Sequence, residues 1–256
     1  MSRLRTNFLT GLTTALIMLA GFGSIGLRPS TMTSPMGKIN FLLGREGEVM
    51  IHHSHVGAWV PAKLRMNILR GDRIKTAAES RCELKLNDGS IIRIGEKSFF
   101  DFAESNLTKS TRQVNASLTQ GRIWANVTKW TIQRDQFEIK SPTAVCAIRG
   151  TIYRMETDST TRVAVYDGQV DIGPTPDLQQ QLQQQQRPTG APVQIPGPTQ
   201  VPGPYQVTLE QWIRLVEGYQ IEIRGNGRYA TSKIDSTAES QVDWIQWNKE
   251  RDRLLQ

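Results

Sequence analysis

Ser141-Pro-Thr-Ala-Val-Cys-Ala-Ile-Arg-Gly-Thr-Ile-Tyr-Arg-Met-Glu156, continued by Arg162-Val-Ala-Val-Tyr-Asp-Gly-Gln-Val-Asp-Ile172, decides the fold class of this chain. Val145, Ile148, Ile152 and Met155 are the apolar points of the first half; Val163, Val165, Val170 and Ile172 are those of the second. Alternating β-branched residues bounded by Gly and Asp-Gly predict half-buried strands. Asp167-Gly168 sits between two such runs, where a tight hairpin turn requires positive φ. Arg149-Gly150-Thr151 interrupts the first half, and a glycine there predicts a bulge, a sharp bend or a close backbone approach.

The same signals recur upstream. Gly71-Asp72 turns into Ile74 and Thr76, and Cys82, Leu84 and Leu86 alternate with Glu83, Lys85 and Asn87. Asp88-Gly89 then leads into Ile91, Ile92 and Ile94. Short strands at regular spacing with turns between them predict an all-β sandwich, barrel or coil of strands. Arg70-Gly71 and Arg149-Gly150 stand at the same interval as Asp88-Gly89 and Asp167-Gly168, an internal echo that suggests two similar β-layers. Val114 to Val127 reads as two strands.

These residues carry a resemblance. The quoted stretch, together with GAWVPAKLRMNILRGDRIKTAAESRCELKLNDGSIIRIGEKSFFDF at 57–102 and LTQGRIWANV at 118–127, resembles a FecR-type domain over about 47–172. Gly71, Asp72, Asp88, Gly89, Arg149, Gly150, Thr151, Asp167 and Gly168 form its structural signature. The resemblance implies a β-sandwich, jelly-roll-like or short β-coil core. It also implies a non-enzymatic role in sensing, scaffolding or binding outside the cytoplasm. FecR-like regulators couple such a domain to a cytoplasmic anti-sigma segment across one membrane helix. Here only Met1 to Asn7 precedes the apolar run, too little for an anti-sigma bundle, so the expectation is a stand-alone form.

That run, Phe8 to Leu27, follows Arg3 and Arg5 and reads as a secretory signal or an uncleaved membrane anchor over 1–28. The expected product is exported, to the periplasm or to the periplasmic face of the inner membrane. Residues 29–46 form a flexible lead. The net charge of +7 favours anionic partners. Export and the lack of a nucleic-acid motif argue against DNA or RNA, leaving an envelope protein or an anionic cell-wall glycan.

Cys82 and Cys146 are the two cysteines. An oxidising compartment permits them to pair; two separate buried thiols are the other reading. His52, His53 and His55 are the three histidines, in His-His-Ser-His. On a strand His53 and His55 would share a face and their imidazoles could bind one metal weakly, but no acidic or Cys residue lies at a familiar spacing, so an exposed polar edge strand is the reading and no metal site is expected. No catalytic motif stands out and no cofactor is implied. The rival reading is a secreted glycan-binding protein, or a glycan hydrolase using Asp72, Asp88, Asp101 and Asp167, although turn chemistry accounts for most of these.

Residues 173–206 combine a glutamine run with a proline series and are expected to form a disordered loop. Order should resume over 207–256. Trp212 to Val216 and Gly218 to Ile223 have strand patterning. Val242, Trp244, Ile245, Trp247 and Leu254 lie on a helical period, with Asp243 early and Arg251 and Arg253 late, as the macrodipole favours. The strands should return to the β domain, and the helix should pack its aromatic face on the sheet, covering an end or edge.

Overall fold

The computed structural model describes residues 34–103, 105–108, 111–130, 135–185, 207–209 and 211–255. The signal or anchor segment, residues 29–33 of the expected flexible lead and the proline series lie outside the described residues; the rest of that lead needs correction, because Gly37–Leu43 form a paired strand with Met36 and Ile39 buried.

The strands in chain order begin with β1 (Gly37–Leu43), β2 (Val49–His52), β3 (Trp59–Pro61), β4 (Asn67–Ile68), β5 (Arg73–Thr76) and β6 (Arg81–Leu86). Next come β7 (Ile91–Ile94), β8 (Phe99–Phe102), β9 (Asn106–Leu107), β10 (Arg112–Asn126) and β11 (Asp135–Lys140). The core closes with β12 (Ala144–Ile148), β13 (Ile152–Thr157), β14 (Thr160–Asp167) and β15 (Gln169–Pro174). After helix α1 (Pro176–Gln185) follow β16 (Val207–Thr208), β17 (Ile213–Val216), β18 (Tyr219–Arg224) and β19 (Arg228–Lys233). Helices α2 (Ser236–Ser240) and α3 (Asp243–Arg253) end the described chain.

The fold is all-β, in two sheets that share β10. Sheet A runs β4-β1-β6-β7-β10-β13-β14-β18-β19-β16, each neighbour antiparallel. Sheet B runs β3-β2-β5-β8-β10-β11-β12-β15-β17, with β10 and β11 parallel and the other pairs antiparallel. The two strands expected between Val114 and Val127 are thus one long strand of 15 residues, β10. Its first part pairs in sheet B and its last part in sheet A. The crossing is marked by a register shift between Leu118 and Gln120 and by Gly121 at φ 93. A Cβ on Gly121 would sit 2.5 Å from Ser98 Cα, so only glycine lets the strand pass there.

Period-two alternation fills the space between the sheets. Leu84, Ile92, Ala125, Met155 and Val163 from sheet A meet Ile74, Phe100, Ile139, Val170 and Ile172 from sheet B in one continuous buried cluster. The internal echo does not map one copy onto each sheet. Asp88-Gly89 joins β6 to β7 within sheet A, whereas Asp167-Gly168 carries the chain from β14 in sheet A to β15 in sheet B.

The chain leaves this core at β15 and returns to it. β17 pairs with β15 and β18 with β14, extending both sheets. The expectation of disorder from residue 173 needs correction at its start, because β15 reaches Pro174 and α1 is helical. Pro176 stands at the first helical position, and Thr175 Oγ1 accepts from Leu178 N at 3.3 Å. Leu178 and Leu182, four apart, bury one face against Gly227. Glutamine is a good helix former, so the polar face does not oppose the helix.

Candidate interaction surface

Two of the four signature turns, Asp88-Gly89 and Arg149-Gly150-Thr151, converge on residues 127–129, and Asp167-Gly168 closes against the second of them. Val127 N donates to Thr151 O at 3.0 Å, and Thr128 N donates to Ser90 Oγ at 3.1 Å. Asp88 accepts from Ser90 and from Arg112 Nη1 at 3.1 Å. The fully buried Arg112 also grips Asp135 with two hydrogen bonds and donates to Thr128 O at 2.7 Å. Gly150 has φ 63, and a Cβ there would lie 2.7 Å from Lys129 Cβ. Thr151 Oγ1 donates to Gln169 O at 2.7 Å, closing the corner against the exposed Asp167-Gly168 turn. Arg149 points out to solvent. The fourth turn, Gly71-Asp72, lies apart from these, beside His53. The signature is a set of backbone fasteners around strand ends.

The centre of the outer face of sheet A is covered by the C-terminal helices. Trp244, Ile245, Asn248 and Asp252 form the buried stripe of α3. Trp244 and Ile245 pack with Trp124, joined by Tyr166 and Trp247. Trp124 stacks on Tyr166 with ring centroids 4.4 Å apart. The helix thus packs its aromatic face on the sheet, and it does so over the sheet's face instead of at an end or edge. Beneath it Arg93 is fully buried and donates to Glu83 at 2.7 Å and to Asp252 at 2.7 Å. Glu83 also receives Arg251 through two bonds and Asn40 at 2.6 Å. Burial pushes the Glu83 carboxyl up, but the hydrogen bonds from Arg251, Arg93 and Asn40 outweigh it and hold the group down at about 2. A second network centres on Glu239 of α2, which accepts from Tyr166 Oη at 2.7 Å, Arg154 at 3.2 Å and Lys249 at 3.3 Å. Arg81 pairs with Asp243 at the start of α3. In sequence, Glu83 and Arg93 are ordinary outward polar positions of two strands. Their signal was the pairing of opposite charges at cross-strand partners, Glu83 facing Arg93.

The outer face of sheet B has no such cover among the described residues. Met50, His52, Trp59, Arg73, Lys75 and Phe99 share it on β2, β3, β5 and β8, as their cross-strand registers require. Trp59 meets His52 at 5.4 Å and the edge of Phe99 at 5.9 Å, and Lys75 Nζ lies 4.5 Å from its ring centroid. Arg73 pairs with Asp101 at 3.2 Å. Burial raises the Asp101 carboxyl, opposed by that guanidinium. Toward the other edge Arg214 holds Asp171 at 2.8 Å. Trp212, 56% exposed, lies flat where Gly173 lacks a side chain. This face offers half-exposed rings beside paired charges, a pattern that suits contact with another molecule's surface.

The remaining candidates resolve as follows. Cys82 and Cys146 are separate, fully buried thiols, one on β6 of sheet A and the other on β12 of sheet B. Each packs inward among aliphatic side chains, and burial pushes both thiols well above their ordinary range. Of the four aspartates in the hydrolase reading, Asp72 is tied to His53, Asp88 to Arg112 and Asp101 to Arg73, while Asp167 is exposed in its turn. Each carboxylate has its own local place in a turn or ion pair.

The FecR protein family matches residues 72–171, so this part of the chain is a FecR domain. The match begins at Asp72, and residues 47–71 lie outside it. No curated protein sequence matches the chain. Two crystal structures of a candidate anti-sigma factor from Parabacteroides distasonis are similar at 15% and 16% identity, both with a TM-score of 0.44. In each case 64% of this chain and 61% of that chain are covered, so the chain spans about three fifths of that protein's length.

Proposed function

We propose that this chain is a non-enzymatic FecR-type module of the cell envelope, which senses or binds a partner outside the cytoplasm through the outer face of sheet B. The observation that carries this reading is the asymmetry between the two sheets. Sheet A spends its outer face on the C-terminal helices, with two buried ionic networks beneath them. Sheet B keeps Trp59, Phe99 and Lys75 at its surface. The FecR domain supports a role in signal transduction, and the Arg3 and Arg5 n-region ahead of the apolar run supports export. The partner is an envelope protein. The test is photo-crosslinking in intact cells, from Lys75 or Lys140 on sheet B and from Arg253 on α3 as the control face, combined with fractionation. Adducts from the sheet B positions in the periplasmic or inner-membrane fraction are expected. Adducts from Arg253 alone, or a full-length chain confined to the cytoplasm, would overturn the proposal.

A second reading has its own observation. Trp59 with Phe99 and His52 forms a half-exposed aromatic group beside the charged Lys75 and Arg73, which suits stacking against a sugar ring. Co-sedimentation with insoluble cell-wall glycan, lost in Trp59→Ala with an unchanged melting temperature, would favour a glycan as the partner.

A further inference from the structure

The chain turns after β2 at His53-Ser54-His55-Val56. The carbonyl of His53 accepts from Val56 N and from Gly57 N, both at 3.0 Å, and this closed turn brings the His55 ring back beside His53. The two imidazole centroids are 5.4 Å apart, with planes tilted by 41°. Ser54 Oγ donates to Arg70 O at 3.2 Å, so the histidine turn is fastened to the Gly71-Asp72 turn. The latter is held in its own right, since Gly71 N donates to Phe102 O at 2.7 Å and Phe102 N donates to Asp72 O at 2.9 Å.

Asp72 is fully buried at this junction. Its Oδ2 accepts from Leu69 N at 2.7 Å and faces His53 Nδ1 at 3.0 Å, while Oδ1 has no partner. An ionised carboxylate can only accept, so His53 Nδ1 carries the hydrogen. In the neutral ring the free lone pair is then on Nε2. This is the wiring by which a carboxylate orients a metal-binding histidine and raises its basicity. Two imidazoles bound to one tetrahedral ion at ~2 Å each would set their centroids about 5 Å apart, close to the spacing of His53 and His55.

We propose that His53 and His55 form a two-imidazole site for a divalent transition-metal ion of the zinc type, with Asp72 as the positioning residue behind His53. Nitrogen donors suit zinc, copper and nickel in preference to magnesium or calcium. Among the described residues no group of three or more His, Cys, Asp or Glu is placed to hold a metal. The ion therefore keeps coordination positions for water or for a donor from outside the chain, and it binds weakly and exchangeably. This site stands on the turn geometry and is independent of the sheet B proposal.

The test is calorimetric titration of the tag-free chain with zinc ion, alongside imidazole nitrogen NMR. One ion per chain is expected, with the ring nitrogens of His53 and His55 shifting and those of His52 unmoved. His55 is exposed, so His55→Ala should weaken binding by roughly tenfold or more at an unchanged melting temperature. In His53→Asn the side-chain amide stands where Nδ1 was and can still donate to Asp72, while the ring's second nitrogen is gone, and binding should again be lost. Asp72→Asn should weaken binding and change the His53 tautomer signal. If the wild-type chain takes up no zinc, or His55→Ala binds as tightly as wild type, the His53–Asp72 pair is structural only and the proposal fails.

Discussion

Arg93 donates from Nη1 to Asp252 Oδ1 at 2.7 Å, linking a sheet A strand to the last helix across 159 residues of chain. Asp252 Oδ2 also accepts from Trp124 Nε1 at 2.7 Å, so one carboxylate holds both a buried cation and a buried indole. Removing one member of a buried ion pair strands the other, a loss of about 3–5 kcal/mol. Arg93→Ala should cost that much in urea unfolding. A combined neutral replacement of Glu83, Arg93 and Asp252 by apolar residues should cost less than Arg93→Ala alone. A greater loss in the triple variant would show that the network contributes more than its own desolvation cost.

Glu83 makes stability depend on acid. Its carboxyl is held at about 2 in the folded chain, below the ordinary glutamate value of 4.5 that the unfolded chain would show. A depressed carboxylate stabilises the fold fully above the unfolded pKa, and that contribution is lost as pH falls through the folded one. Stability should therefore decline between about pH 5 and pH 2, by roughly 3 kcal/mol from this group. Denaturant midpoints measured across that range should show the slope, and Glu83→Gln should flatten part of it.

Two glycines with positive φ should respond differently to a side chain. Gly150 has φ 63 and a Cβ there would meet Lys129 Cβ at 2.7 Å, whereas Gly47 has φ 86 with open space around it. Gly47→Ala should cost about 1–2 kcal/mol, the backbone strain alone. Gly150→Val adds a steric clash and should cost several kcal/mol more than that strain. Thermal melts of the two variants would separate the effects, and equal losses would mean that Lys129 moves aside freely.

Cys82 and Cys146 should behave as core thiols. A thiol reagent added to the native chain should label neither, and both should react at the unfolding midpoint in denaturant. Reductant should leave the melting temperature where it is, because no covalent link is broken. A reductant-sensitive melt would indicate a bridge between the sheets.

Much of this architecture was legible from local pattern. Alternation at Cys82-Leu84-Leu86 and at Val163-Val165 marks inward faces because successive strand residues point to opposite sides. Glycine in Asp88-Gly89, Arg149-Gly150 and Asp167-Gly168 marks corners, and each of these glycines has positive φ in the structure. Helix α1 was hidden by its glutamines, although Thr175, Pro176, Leu178 and Leu182 carried a cap, a start and an apolar stripe. The candidate surface was less legible. Nothing local in the sequence distinguishes the face that carries Trp59 from the one that carries Trp124.

The sequence by itself determined an all-β FecR-type core, its turns, the inward residues of most strands and a terminal helix with an aromatic face. These are properties of near neighbours along the chain, set by side-chain period and by backbone dihedral limits. Only the tertiary structure decided that β10 belongs to both sheets, that α3 covers the centre of the outer face of sheet A, and that the outer face of sheet B has no such cover among the described residues. It also decided that Glu83 and Arg93 are buried and that Asp72 stands behind His53. Each of those depends on contacts between residues far apart in sequence. An outward polar residue on a strand has the same local pattern whether water or a helix lies above it.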